Sequence, residues 1–106
     1  MTRADAHAWL RTRRPERPAA LAARMTVLVD VVDGAALEEV PTMAEAMALI
    51  GVDLLARVAG SADPQAEGLA LDLLAADAFV TYAFEAAAED DVDVGPMVRR
   101  LLTEVG

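Results

Sequence analysis

The chain has 106 residues, no cysteine and a formal net charge of −9. This length suits one domain that buries about 65% of the surface its unfolded form exposes. The absence of cysteine excludes disulfides and thiolate chemistry, and 24 alanines favour closely packed helices over a sheet.

Charge is divided unequally along the chain. Residues 1–24 contain six arginines and two acids, a net charge of +4, whereas residues 25–106 contain three arginines and sixteen acids, a net charge of −13. Unlike charges favour contact between these two parts, within one chain or between chains. We therefore expect a single all-helical domain, 1–106, with a basic N-terminal arm, 1–17, that docks on an acidic body.

The first predicted helix spans residues 3–14 and ends before Pro15. Its stripe at helical spacing contains Ala6, Trp9, Leu10 and Arg13. Pro15 and Pro18 interrupt this helix, and proline suits the first turn of the helix that follows.

The second helix is predicted from Pro18 to about Asp33. Its residues 26–32 are rich in β-branched side chains and would also fit a strand ending at Asp33-Gly34. No partner strand is predicted, and a lone strand leaves its backbone groups unsatisfied. We therefore favour the helix.

A third long helix is predicted from Thr42 to Ala59, after a short helical turn at 35–40. Thr42 and Glu45 have the spacing of a capping box, and Gly60 is a typical left-handed C-terminal residue. On the flank of this helix, Asp53 and Arg57 are four residues apart and can form an ion pair.

The longest helix is predicted from Asp63-Pro64 to about Glu89, and Gly95-Pro96 begins the last one. The longest helix is apolar on two opposite sides, which predicts burial on both. It would be the central helix of a compact antiparallel bundle of about four principal helices plus the short N-terminal one, or a core helix that also forms a dimer face. The first apolar side contains Leu69, Leu73, Ala76, Val80 and Phe84, and the second contains Leu71, Ala75, Phe79 and Tyr82.

Asp77 is the most informative single residue, because it falls between Leu73, Val80 and Phe84 on the first apolar side. A buried carboxylate must be paired, hydrogen-bonded or protonated. We expect it to bind an arginine of the arm, His7 or the Trp9 indole. A ligand-binding carboxylate and an exposed position are the alternatives.

The sequence offers no catalytic motif, and we predict neither an enzyme nor a cofactor. The acidic run from Glu89 to Gly95 resembles the start of an EF-hand calcium loop. With Asp91 counted as position 1 of the loop, however, the glycine falls one place early and position 12 is Leu102 instead of the usual glutamate. Asp91 and Asp93 are better explained as caps of the last helix. A single histidine excludes most metal sites built on several imidazoles.

The arginines of the arm are candidates for interaction. Arg11, Arg13, Arg14 and Arg17, with Trp9 beside them, could bind phosphates or a membrane surface. The acidic body would repel a polyanion, so we favour contact between the arm and that body. Phe79 and Tyr82 are the predicted anchors of an interface, because large aromatic residues supply much of the binding energy at interfaces.

These features predict a non-enzymatic interaction or accessory subunit that acts as a homodimer or in a larger complex. An adaptor for nucleic acid or membrane through the arginines is one alternative, and a small-molecule pocket around Asp77 is another. The most apolar stretch, 68–84, contains two aspartates, and no signal-like apolar segment follows the first arginines. We therefore expect a cytoplasmic protein.

Overall fold

The computed structural model describes residues 1–60 and 68–105, and the described chain forms six α-helices and no β-strand. The predicted all-α bundle is confirmed, and residues 26–31 are helical as favoured. The helices are α1 (Arg3–Leu10), α2 (Ala19–Val31), α3 (Gly34–Glu39), α4 (Met43–Ala59), α5 (Leu69–Glu89) and α6 (Gly95–Val105).

Helix α1 is closed at its start by a capping box that the sequence analysis did not identify. The Thr2 hydroxyl accepts the Asp5 N–H at 3.0 Å, and the Asp5 carboxylate accepts the Thr2 N–H at 3.0 Å. The helix ends at Leu10, four residues earlier than predicted. Beyond it the Thr12 hydroxyl donates to the Trp9 carbonyl at 2.6 Å. This side chain therefore satisfies the carbonyl that would accept a backbone N–H if the helix continued.

Helix α2 also ends slightly before its predicted limit. Val32 is extended, with φ −62° and ψ 150°, and so redirects the chain. The Asp33 carboxylate then accepts the Ala35 N–H at 3.0 Å and caps α3, the short helix predicted at 35–40.

Helix α4 begins as predicted, since the Thr42 hydroxyl accepts the Glu45 N–H at 3.2 Å. The ion pair between Asp53 and Arg57 is present at 2.9 Å. Gly60 closes the helix in the right-handed region, with φ −81°, so the left-handed ending predicted for it is wrong.

Helices α4 and α5 form the centre of the bundle. They pack along each other, and α4 also contacts α1, α2 and α6. Gly51 permits a close approach, because a Cβ atom placed on it would lie 3.2 Å from the Phe79 Cβ and 3.3 Å from the Val80 Cγ2. The side of α5 that faces the core is rich in alanine, which lets the two backbones come near each other.

The last two helices, α5 and α6, begin in different ways. Gly68 precedes α5 in the left-handed region, with φ 84°, and the helix start predicted at Asp63-Pro64 lies outside the described residues. Helix α6 begins at the predicted glycine, where the Asp93 carboxylate accepts the Gly95 N–H at 2.9 Å. Asp91 is itself left-handed, with φ 51°.

The core is built from small aliphatic side chains with a few large ones between them. Met25, Met43, Met47 and Met97 are all buried, in keeping with their helical spacing. The largest fully buried side chains are Phe79, Leu37, Met47, Ile50, Met97 and Val29.

Within the single chain, α5 is buried on one side only, so it is not a central helix enclosed on both sides, and burial of its second side by another chain stays a prediction. Leu73, Leu74 and Phe84 are 47%, 57% and 45% exposed. One side of α5 therefore faces the core and the opposite side faces solvent, and this division sets the positions of the candidate sites.

Candidate functional site

The arm is attached to the body at its first residues. The terminal amine of Met1 donates to the carbonyls of Leu37 at 3.2 Å and Val40 at 2.8 Å. Arg3 donates to the Val32 carbonyl at 2.6 Å. The Val32 and Val40 carbonyls lie at the C-caps of α2 and α3 and have no partner inside those helices, whereas the Leu37 carbonyl also accepts the Val40 N–H at 3.3 Å.

A second attachment joins the arm to α5, and we call its five residues the arm clasp: Trp9, Arg13, Tyr82, Glu85 and Glu89. The Arg13 guanidinium donates to Glu85 at 3.1 Å and to Glu89 at 2.6 Å, and it lies 3.8 Å from the centre of the Trp9 ring. The Trp9 indole donates to Glu89 at 3.2 Å and its ring meets Tyr82 edge-on at 5.7 Å. Hydrogen bonds, charge and aromatic contact thus converge on one side of α5.

The clasp changes the acid–base behaviour of its charged members. The hydrogen bonds from Arg13, and to a smaller extent from Trp9, hold the pKa of Glu89 below its usual 4.5. Burial by itself lowers the pKa of Arg13, but the bonds to Glu89 and Glu85 outweigh it and raise that pKa overall. Both ions are therefore charged at neutral pH, as the clasp requires.

Three more contacts tie the basic segment to the helices. Arg17 donates through Nε to the Tyr82 hydroxyl at 2.9 Å, and its guanidinium lies 4.8 Å from that ring. Arg24 pairs with Asp72 at 2.7 Å, a hydrogen bond that raises the pKa of Arg24. His7 is 2.8 Å from an oxygen of Asp30.

The predicted burial of Asp77 is wrong, because its side chain is exposed. No arginine, histidine or indole of the described chain forms an ion pair or hydrogen bond with it. The arm pairs with Glu85 and Glu89 instead, and Arg24 of α2 pairs with Asp72. Both apolar sides of α5 fit the helical period equally well, and the bundle buries the side opposite Asp77.

Phe79 and Tyr82 are not surface residues of the single chain. Phe79 is fully buried and Tyr82 is 4% exposed. Interface anchors need exposed side chains, and the single chain does not expose these two. Both lie on the side of α5 that packs against the body and the arm.

Solvent-facing positions of α5 recur at three- and four-residue spacing, and we call them the α5 outer face. Three of them are large apolar side chains, and Asp77 lies midway along the row. The α5 outer face consists of Ala70, Leu73, Leu74, Asp77, Thr81, Phe84 and Ala88.

Sequence reasoning identified the arginines but missed their partners. Tyr82, Glu85 and Glu89 follow one another at i, i+3 and i+7, a spacing that puts them on one stripe of a helix. That stripe, together with the net charge of +4 on residues 1–24, is the sequence signal that locates the clasp. Counted by charge alone, these acids do not stand out from the sixteen of residues 25–106.

An arginine-lined cavity of about 630 Å³ lies between the arm and α2, and Tyr82 of α5 also lines it. Arg11, Arg13, Arg14 and Arg17 all contribute to its wall, so the structure brings the predicted arginine cluster together. Asp77 does not line this cavity.

Neither a metal-binding cluster nor a membrane span is found in the part of the chain that the structure describes. Within 1–60 and 68–105, no three histidine or acidic side chains are grouped to hold an ion. In the same residues, every helix is too short or too polar to cross a bilayer.

No protein-family model, curated protein or solved structure matches the chain.

Proposed function

We propose that this chain is a non-enzymatic, cytoplasmic interaction or accessory subunit whose protein partner packs on the α5 outer face. The observation that supports this is the row of Leu73, Leu74 and Phe84, each about half exposed on one side of a 21-residue helix. Large apolar side chains grouped on a surface are typical of sites where another protein binds.

The charge of this face favours one kind of partner, a basic amphipathic helix. Asp77 lies at the middle of the row, within a body of net charge −13. A two-fold dimer centred here would bring two Asp77 carboxylates together, which is unfavourable. A helix with apolar residues and an arginine or lysine opposite Asp77 would instead be attracted.

The docked arm favours this proposal over the alternative, an adaptor that binds nucleic acid or membrane through its arginines. Arg13 is 10% exposed and is engaged by two carboxylates of its own chain. A polyanion would have to replace these carboxylates and approach an acidic body.

A photo-crosslinking amino acid at position 74 tests the proposal in native lysate, with position 23 on the exposed side of α2 as the matched control. We expect an adduct at 74 alone, with mass spectrometry locating the cross-link in a basic amphipathic segment. Asp77→Arg should abolish the adduct. Equal adducts at both positions, or one insensitive to Asp77→Arg, would contradict the proposal.

Light scattering of the purified protein tests the homodimer separately. We expect a monomer at high micromolar concentration. A dimer that Leu74→Glu dissociates would show that the α5 outer face binds a second copy and not a basic helix.

A further inference from the structure

The arginine-lined cavity is a concentration of positive charge on an acidic protein. Four arginines contribute to its wall, and Glu16 is the one acid among the residues that line it. Its volume of about 630 Å³ lies within the range of small-molecule sites. The cavity is separate from the α5 outer face, because none of the residues of that face line it.

The arginines differ in how far their own chain neutralises them. Arg13 is engaged by Glu85 and Glu89 and serves the clasp. Arg17 uses only Nε for the Tyr82 hydroxyl, and no described residue accepts from its two terminal nitrogens.

Arg11 and Arg14 are the more exposed pair of the cluster. The Arg11 guanidinium has no hydrogen-bonding partner in residues 1–60 or 68–105. Arg14 donates to the carbonyls of Arg11 at 3.1 Å and Arg13 at 2.7 Å, and stands 3.7 Å from the exposed Glu16. The guanidinium groups of Arg11, Arg14 and Arg17 therefore keep positive charge that is available to a ligand in the cavity.

Two further groups at the cavity are suited to an anion. Helix α2 starts at Ala19 with no side-chain cap and no acid in its first turn, and Ala19 and Ala22 line the wall. Uncapped N–H groups at a helix start carry partial positive charge. Tyr82 accepts from Arg17, so its own hydroxyl hydrogen is available to a ligand oxygen.

The remaining wall is apolar. Leu10, Ala22 and Met25 line it beside the Tyr82 ring. A ligand that satisfies both parts has a compact, multiply charged anionic group joined to a flat apolar portion. Phosphate monoesters are close to dianionic at pH 7 and match the fork of a guanidinium through two oxygens.

We propose that this cavity binds a small organic phosphate monoester. The phosphate meets Arg11, Arg14 and Arg17, and the organic portion rests between α2 and the Tyr82 ring. The volume of this open cavity fits a small molecule, and the acidic body disfavours a polymeric polyanion.

Phenyl phosphate is the probe for this proposal, measured by titration calorimetry and by amide chemical shifts of the full chain. We expect saturable binding, with shifts concentrated in residues 7–26 and at Tyr82. Phenol and inorganic phosphate should each bind more weakly than the ester. Equal affinity for inorganic phosphate would overturn the claim that an organic ester is the ligand.

Arg11→Gln combined with Arg14→Gln tests the site, because both side chains are exposed and neither belongs to the arm clasp. We expect affinity to fall about tenfold for each guanidinium–phosphate contact that is lost. Arg57→Gln combined with Arg99→Gln is the matched control, with the same change of net charge, and should bind like the parent. Equal losses in the two double variants would overturn the site and leave only general charge attraction.

Vesicles of phosphatidylcholine containing phosphatidic acid distinguish a lipid headgroup from a free ester. We expect no retention on these vesicles. Binding to vesicles without binding of soluble phenyl phosphate would overturn the assignment to a small molecule. Leu74→Glu should leave phenyl phosphate binding unchanged, so failure of this proposal and failure of the α5 outer face are read out separately.

Discussion

Single residues show how the same side-chain type takes different roles on this chain. Arg13 joins two carboxylates and an indole and is nearly buried, whereas Arg11 a short distance away has an exposed guanidinium. Asp77 is exposed, whereas Glu85 and Glu89 on the same helix hold the arm. The surroundings of each charge, and not its residue type, decide whether it contributes to stability.

Arg13→Gln should lower the free energy of unfolding by about 1–2 kcal/mol, because it removes the ion pairs with Glu85 and Glu89 and the contact with the Trp9 ring. Urea denaturation followed by circular dichroism measures the change. Arg57→Gln is the control. Arg57 and Asp53 form a solvent-accessible i, i+4 ion pair, and such a pair contributes about 0.3–0.5 kcal/mol. Equal effects of the two substitutions would show that the clasp contributes no more than a surface pair.

Acidification should release the clasp. The pKa of Glu89 is lowered in the folded chain, so its contribution to stability is complete above its usual 4.5 and is lost as pH falls through the lower folded value. Trp9 is the only tryptophan, so its fluorescence reports the surroundings of the arm clasp. We expect a red shift of emission below pH 4.5. Glu89→Gln should show the shifted spectrum already at pH 7, and a spectrum like that of the parent would contradict the assignment.

Asp77→Asn should change the free energy of unfolding by less than about 0.5 kcal/mol, because Asp77 is exposed and the substitution leaves no buried charge unpaired. Thermal unfolding measures the change. A loss of several kcal/mol would restore the buried, paired carboxylate that the sequence pattern suggested.

At the scale of elements, local signals were predictable and the choice between faces was not. Thr42 and Asp93 lie next to the helix starts that they cap, so sequence spacing alone located them. Helix α5 has two apolar sides, and periodicity gives them equal weight. The bundle buries the alanine-rich side because it lets α4 approach at Gly51, a contact between residues far apart in sequence. Burial of that side leaves Asp77 exposed and brings Glu85 and Glu89 next to the arm, and periodicity alone predicts neither result.

Gly51→Ala tests this close approach. The added Cβ would lie 3.2 Å from the Phe79 Cβ, an atom fixed to the backbone of α5 that cannot rotate away. Overpacking should outweigh the gain of about 1 kcal/mol in helix propensity and leave a net loss of about 1 kcal/mol. Gly60→Ala, at the C-cap of α4, is the control, because the nearest atom there is 3.5 Å away, and it should be neutral or slightly stabilising. A stabilising Gly51→Ala would show that α4 and α5 can separate without loss.

Across the molecule, residues 1–24, with a net charge of +4, and residues 25–106, with a net charge of −13, are joined through a few short contacts. The ion pairs of Arg13 and Arg24 span 2.6–3.1 Å, while the acids of the body are spread over a molecule of 39 × 31 × 23 Å. The Debye length is about 10 Å at 0.1 M salt, so added ions screen the long-range repulsion far more than the short pairs. Attraction between arm and body and repulsion within the body therefore respond differently to salt.

Moderate salt should consequently stabilise this protein, although its visible charge contacts are attractive. We expect Tm to rise by a few degrees between about 10 mM and about 200 mM NaCl, because screening relieves self-repulsion within the −9 chain. KCl at the same concentrations should act equally, which separates screening from binding of a particular cation. In Arg13→Gln, where the two short ion pairs of the clasp are already lost, the rise should be at least as large. A Tm that falls with salt in the parent chain would show that the attraction of the arm for the body outweighs the repulsion among the sixteen acids.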